Sequence, residues 1–203
     1  MYARVLRLHG DASKADAAIE NYVSTVAPAL REQGGYAGAR LLVDREHGNS
    51  MSVTFWQDEA AARASEAALS GVRRDAASLF GAEDPVSEYF EILLQHRPLP
   101  TEAGQWVRVT NLTGDPAKVD AGVAHYKAQV IPGVEALAGF RAAVLFGDRA
   151  TGNSMSVTVW TTKSDMDASA DAGSTIRAAA AAVMGAGSPQ VEAFEVGFAE
   201  LVS

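Results

Sequence analysis

Hydrophobic and polar positions change period several times along the first half of the chain, and the same changes recur along the second. Residues 3–8 and 107–112 are short and rich in β-formers, which predicts a first strand. Asp11 and Asp115 follow as helix N-caps, the latter directly before Pro116. Ile19, Tyr22, Val23, Val26 and Leu30 then recur at helical spacing. Val119, Val123, Tyr126, Val130, Val134 and Leu137 do so in the second half. Pro28 and Pro132 fall inside these patterns and predict a kink or a restart, because proline lacks an amide proton and clashes with the preceding turn. Gly35 and Gly139 end the helices. Residues 36–44 and 50–57, and again 140–148 and a third strand beginning at Ser154, read as hairpins. Asp58 and Thr162 can cap a second helix. Its buried face is expected to be Leu69, Val72, Ala76 and Leu79 in one half and Met166, Ile176, Ala180 and Val183 in the other. Gly81 and Gly185 stop it, and residues 87–95 and 191–199 form a fourth strand.

The order is therefore βαββαβ, twice. Gly48-Asn49-Ser50-Met51-Ser52-Val53-Thr54 returns as Gly152-Asn153-Ser154-Met155-Ser156-Val157-Thr158, an offset of 104. Without a gap, the same offset relates Arg4 to Arg108, Tyr22 to Tyr126, Pro28 to Pro132, Trp56 to Trp160 and Arg73 to Arg177. So long a period means two folded units and not a solenoid array. Arg97-Pro98-Leu99-Pro100-Thr101-Glu102-Ala103-Gly104 reads as a stiff joint. The expected division is a first unit over 1–97, a linker over 98–104 and a second unit over 105–203.

A unit of this kind covers one sheet face with its helices and leaves the other to be buried. The fold class expected is α+β, with two ferredoxin-like units packed sheet to sheet as an intramolecular dimeric α+β barrel. In the third strand Met51, Val53 and Phe55 alternate with Ser50, Ser52, Thr54 and Trp56. The apolar set is expected under the helices. The hydroxyl and tryptophan set is expected to face the other unit across a partly polar cavity.

These stretches resemble the antibiotic biosynthesis monooxygenase-like family. The resemblance is carried by Ala27-Pro28-Ala29-Leu30 through Gly35-Tyr36-Ala37-Gly38, by Ser52-Val53-Thr54-Phe55-Trp56, and by their copies Ile131-Pro132 through Gly139-Phe140 and Ser156-Val157-Thr158-Val159-Trp160. It implies a cofactor-independent monooxygenase acting on a small aromatic or quinone-like metabolite. The alternative is a non-catalytic small-ligand-binding or stress-response barrel. The ring-oxidising members use Asn, Trp and Arg in the inter-sheet cavity. The positions that can match are Asn49, Asn153, Trp56, Trp160, Arg4 and Arg108. Haem-degrading members need an axial His in the second helix, and residues 58–80 and 162–184 contain none.

Each residue also has a plainer role. Trp56 and Trp160 can be core whose N–H needs a partner. Asn49 and Asn153 can be turn residues. Arg4 with Glu91, and Arg108 with Glu195, can be cross-strand ion pairs. The four histidines do not repeat between halves, which argues against a metal site.

Composition narrows the partners. The 203 residues carry a net charge of -8, which disfavours nucleic acid. There is no cysteine, so disulfides and thiolate chemistry are excluded and a reducing, cytoplasmic setting fits. No stretch is apolar for the roughly 20 residues that span a bilayer, and no signal peptide is visible. No cofactor and no metal are expected. The expected partner is a small-molecule ligand or substrate, with the pseudo-dimer free to pair again as a homodimer.

Overall fold

A computed structural model describes residues 1–202. Eight strands form, all paired antiparallel where their register is defined. They are β1 (Tyr2–His9), β2 (Tyr36–Asp44), β3 (Asn49–Trp56), β4 (Ser87–His96), β5 (Trp106–Thr113), β6 (Phe140–Gly147), β7 (Asn153–Trp160) and β8 (Gln190–Leu201). Two compact units result. One holds residues 1–90 with 194–202, and the other holds residues 91–193. Each fourth strand is thus divided between units. In the first unit the strand order is β1-β3-β2-β8. Val43 of β2 lies opposite Glu195 of β8. In the second unit the order is β5-β7-β6-β4, with Gly147 of β6 opposite Glu91 of β4. Residues 98–104 belong to the second unit, where the Arg141 guanidinium donates to the Pro100 carbonyl at 3.2 and 3.3 Å.

This arrangement corrects the ion pairs expected from sequence. Glu195 takes Arg45 at 2.8 Å, not Arg108, and Glu91 takes Arg149 at 2.7 Å, not Arg4. Arg45 also holds Asp16, and Arg149 holds Asp120, both at 2.7 Å, so the two triads obey the repeat.

The helices start where their caps predict. The Asp58 carboxylate accepts from the Ala61 amide at 2.8 Å, and the Thr162 hydroxyl accepts from the Asp165 amide at 3.1 Å. The first helical stretch runs as α1 (Ala15–Asn21), a π turn over Tyr22–Val26, and α2 (Ala27–Arg31). The second unit repeats it as α4 (Val119–His125), a π turn over Tyr126–Val130, and α5 (Ile131–Glu135). Pro28 and Pro132 explain the widening. A proline without an amide proton cannot make the ordinary helical bond, and one looser turn relieves its clash with the preceding carbonyl. The turn also shifts the helical phase. Val23, expected on the buried stripe, is 48% exposed.

The second helix is unbroken in the first unit, α3 (Glu59–Phe80), and turns buried Phe80 inward while Leu79, predicted inward, is 42% exposed. In the second unit it divides into α6 (Lys163–Ala168) and α7 (Ala170–Met184). Arg108 accounts for the break, because its Nη2 donates to the Met166 carbonyl at 2.5 Å and takes that acceptor from the helical ladder. The matching Arg4 reaches the Ala62 carbonyl only at 3.5 Å.

The hairpin turns rest on glycine. Gly48 has φ +70°, and a Cβ there would land on the Gly10 carbonyl oxygen. Gly48→Ala is expected to cost about 2 kcal/mol, from left-handed strain and a backbone shift together. Urea denaturation checks this, since a change below about 0.5 kcal/mol would show that the turn relaxes freely.

Candidate functional site

The largest correction concerns the two faces of the third strand. Ser52, Thr54 and Trp56 point under the helices, and Met51, Val53 and Phe55 lie on the opposite face, 0–2% exposed. Hydrogen-bond demand decides the orientation. The Tyr22 hydroxyl, on the helical layer, sits 2.9 Å from Ser52 Oγ, and Trp56 Nε1 donates to Thr54 Oγ1 at 2.9 Å. Tyr126 and Ser156 repeat the first contact at 2.8 Å, and Trp160 with Thr158 the second at 3.1 Å. Buried polar groups without partners are costly, so the hydroxyl-bearing face goes where the helices present polar atoms. Burial pushes both tyrosine hydroxyls up to about 12, so they stay protonated at neutral pH. The layer between sheet and helices in each unit is therefore partly polar.

The sequence-predicted residues separate by unit. In the first, Trp56 is fully buried against Tyr36, edge-on with ring centres 5.7 Å apart, and against the Arg4 guanidinium 5.2 Å from its ring centre. Asn49 lies at the strand end with its carbonyl 3.0 Å from the His9 ring. Arg4 donates to Ser65 Oγ at 2.8 Å and lies 3.8 Å from Glu66. The space beneath α3, lined by Arg4, Arg73 and Leu69, is about 20 Å³, room for one water.

In the second unit the same layer is open. One lobe of about 30 Å³ touches Arg108, Trp160 and Gly173, and another of about 60 Å³ touches Tyr126, Asn153 and Met184. Thr110, Ser156, Ile176 and Arg177 line both lobes. Of the predicted residues, Arg108 and Trp160 border the smaller lobe and Asn153 the larger. The walls explain the space. Gly147 replaces Val43, Val123 replaces Ile19, and Gly122 replaces Ala18. Tyr126, Ser156, Arg177 and Gly173 were not predicted as site residues. For Gly173 the signal is a mismatch between the halves, with Gly173 opposite Leu69 and Ala170 opposite Glu66, whereas Tyr126, Ser156 and Arg177 match their copies and stand out only in the folded unit.

The first unit is electrostatically closed by Glu66. Its carboxylate takes Arg73 at 2.6 Å and a hydrogen bond from Tyr89. Burial alone would raise its pKa, but the bonds from Ser87, Tyr89 and Arg73 outweigh that and hold it at about 2.

Two Mycobacterium tuberculosis (strain H37Rv) proteins share this sequence pattern. The uncharacterized protein Rv2557 is 31% identical over 178 residues, 88% of this chain and 79% of its own length. The uncharacterized protein Rv2558 is 31% identical over 202 residues, 99% of this chain and 85% of its own. The chain belongs to the Rv2557/Rv2558 family. No family model matches it. The fold of this Rv2557/Rv2558 relative is that of monooxygenase-like ferredoxin-fold proteins. A candidate monooxygenase from Lactobacillus acidophilus NCFM superposes with a TM-score of 0.71 at 9% identity, over 98% of this chain and 95% of that one. An anthrone oxidase-like protein gives 0.70 at 13%, over 98% and 92%. A Listeria monocytogenes ferredoxin-fold protein related to antibiotic biosynthesis monooxygenases gives 0.56 at 10%, over 96% and 94%. Identities this low establish the fold of the family member and leave its chemistry to its own residues. No helix of the described residues is long and apolar enough to cross a membrane.

Proposed function

We propose that this protein is a cofactor-independent monooxygenase for a small aromatic or quinone-like metabolite, with its site in the second unit. The observation that carries this reading is the space beneath α7, with largely apolar walls, the Tyr126–Ser156 hydroxyl pair on one side and arginine at one end. Oxidation without a cofactor needs a substrate that gives its electrons to dioxygen itself. A substrate enolate does so. A ring methylene becomes a carbonyl, one oxygen atom enters the product, and the other leaves as water with the two displaced hydrogens. Tyr126, protonated at neutral pH, can donate a hydrogen bond to the substrate oxygen, and Arg177 can stabilise its negative charge. No histidine or carboxylate lines either lobe, so the substrate must be acidic enough to ionise to water. The larger lobe, about 60 Å³, is below the ~150 Å³ that holds a benzene ring. A single ring therefore enters only as Met184 and Leu93 swing aside, and both are flexible side chains.

We read the chain as a tandem fusion in which one polypeptide supplies both members of the pair. Fusion lets one copy keep an open site while the other fills. The test is oxygen uptake with a panel of acidic phenols, hydroquinones and anthrone-type rings. Ala180→Leu, which fills the larger lobe, is expected to lower uptake at least 10-fold with the fold intact by circular dichroism. Equal rates in both proteins, at the level of buffer, would sink the reading.

The lack of a lining base favours a second reading, a barrel that binds such a ligand without turning it over. Native mass spectrometry showing a retained small molecule, with no oxygen uptake, would select it.

A further inference from the structure

We propose that the second unit carries an anion-binding subsite formed by Arg108 and Arg177, built to take the carboxylate or enolate of a small, mostly apolar ligand. The first unit shows what such a site looks like when the protein supplies the anion. There Arg4 and Arg73 converge on Glu66, which Tyr89 and Ser87 also hold. In the second unit both arginines and the serine remain. Arg108 Nη1 donates to Ser169 Oγ at 2.6 Å, as Arg4 does to Ser65. The anion is gone. Ala170 stands at the Glu66 position, and Ala193 and Val191 replace Tyr89 and Ser87.

Nothing else in the unit takes its place. Arg177 is half-buried and has no hydrogen bond or ion pair among the described residues. The acidic residue nearest Arg108 in effect is Asp167, and it is engaged by Lys163 at 2.8 Å on the surface. Burial lowers the pKa of both guanidiniums, and Arg177 pushes Arg108 down further. The room for a ligand comes from Gly173, opposite buried Leu69 in the first unit. A side-chain carbon at Gly173 would lie 2.8 Å from Nη1 of Arg177 and 3.5 Å from Nη1 of Arg108, so both cations flank one point. Both lobes described above meet at Arg177, which places a ligand's charge beside an apolar wall. An anion seated there is held by charge-assisted bonds from two donors in a partly desolvated setting.

The inference rests on the second-unit cavity being the ligand site, and not on turnover. The test is calorimetric titration and thermal unfolding at fixed ionic strength. Sodium benzoate is compared with benzamide, and sodium isobutyrate with isobutyramide. The intact protein is expected to bind a carboxylate saturably and at least 10-fold more tightly than its amide. Ala170→Glu, which restores the first unit's internal anion, is expected to abolish carboxylate binding and to raise the unfolding midpoint. Should that variant fold poorly, Arg177→Gln is expected to lose at least 10-fold in carboxylate affinity while amide affinity stays the same. Equal affinities for acid and amide, no saturable carboxylate binding, or variants that bind like the parent would overturn the proposal. Carboxylate binding with no oxygen uptake on any substrate would sink the oxygenase reading and leave this subsite standing.

Discussion

Glu66→Ala is expected to destabilise the protein by about 3 kcal/mol at pH 7. Removing one partner of a buried ion pair leaves the other charge unpaired, which costs about 3–5 kcal/mol. The lower end applies because the Glu66 side chain keeps 32% of its surface, while Arg4 keeps only 1%. Arg73, with 14% of its side chain exposed, loses the same carboxylate. The pH dependence has a defined sign. The folded pKa of Glu66 is about 2, below the ordinary 4.5, so its contribution is complete above about pH 4.5 and is lost as pH falls towards 2. Urea denaturation of both proteins from pH 7 to pH 2.5 should therefore show a gap that narrows in acid. A gap below 1 kcal/mol at pH 7, or one independent of pH, would mean that Glu66 is a solvated surface charge. The variant should also gain a carboxylate-dependent rise in unfolding midpoint, because it leaves Arg4 and Arg73 without their internal anion, as Ala170 leaves Arg108 and Arg177.

Trp56→Ala is expected to cost about 4 kcal/mol, within the range of about 3–5 for deleting a buried tryptophan side chain. The indole is 0% exposed and packs against Tyr36 and Arg4, so its removal leaves a cavity in the core. The lost N–H bond to Thr54 adds to the loss of packing. For a chain of this length the midpoint should fall by about 10 °C. Trp56→Phe keeps most of the apolar volume and should cost less than half as much. A loss under about 1.5 kcal/mol for the alanine variant would place Trp56 on an accessible wall. Trp160 borders the open lobe, so its alanine variant should enlarge the ligand space as well as destabilise.

Much of this protein can be read without coordinates. The helix starts at Asp58 and Thr162, the stops at Gly81 and Gly185 and the hairpin glycines follow from local chemistry. Each depends on a few neighbouring residues, and the repeat shows each of them twice. What period-2 alternation cannot say is which face of β3 meets the helices. Both assignments leave the same pattern, and only the placement of Tyr22 and Tyr126 beside Ser52 and Ser156 chooses between them. The π turns escaped for a related reason. Proline announces a disturbance, but not how the helix absorbs it, so the phase that exposes Val23 comes from the folded chain.

By itself the sequence determined the element order and the caps, because these arise from contacts close along the chain. Tertiary structure alone decided which acid meets which arginine. Glu91 and Glu195 leave Arg4 and Arg108 for Arg149 and Arg45, because each fourth strand is divided between the units. It also gave meaning to a difference already visible in the letters. Alanine for Glu66 is an ordinary substitution on a helix until folding brings two arginines to that point, and from there the missing charge becomes a place for a ligand.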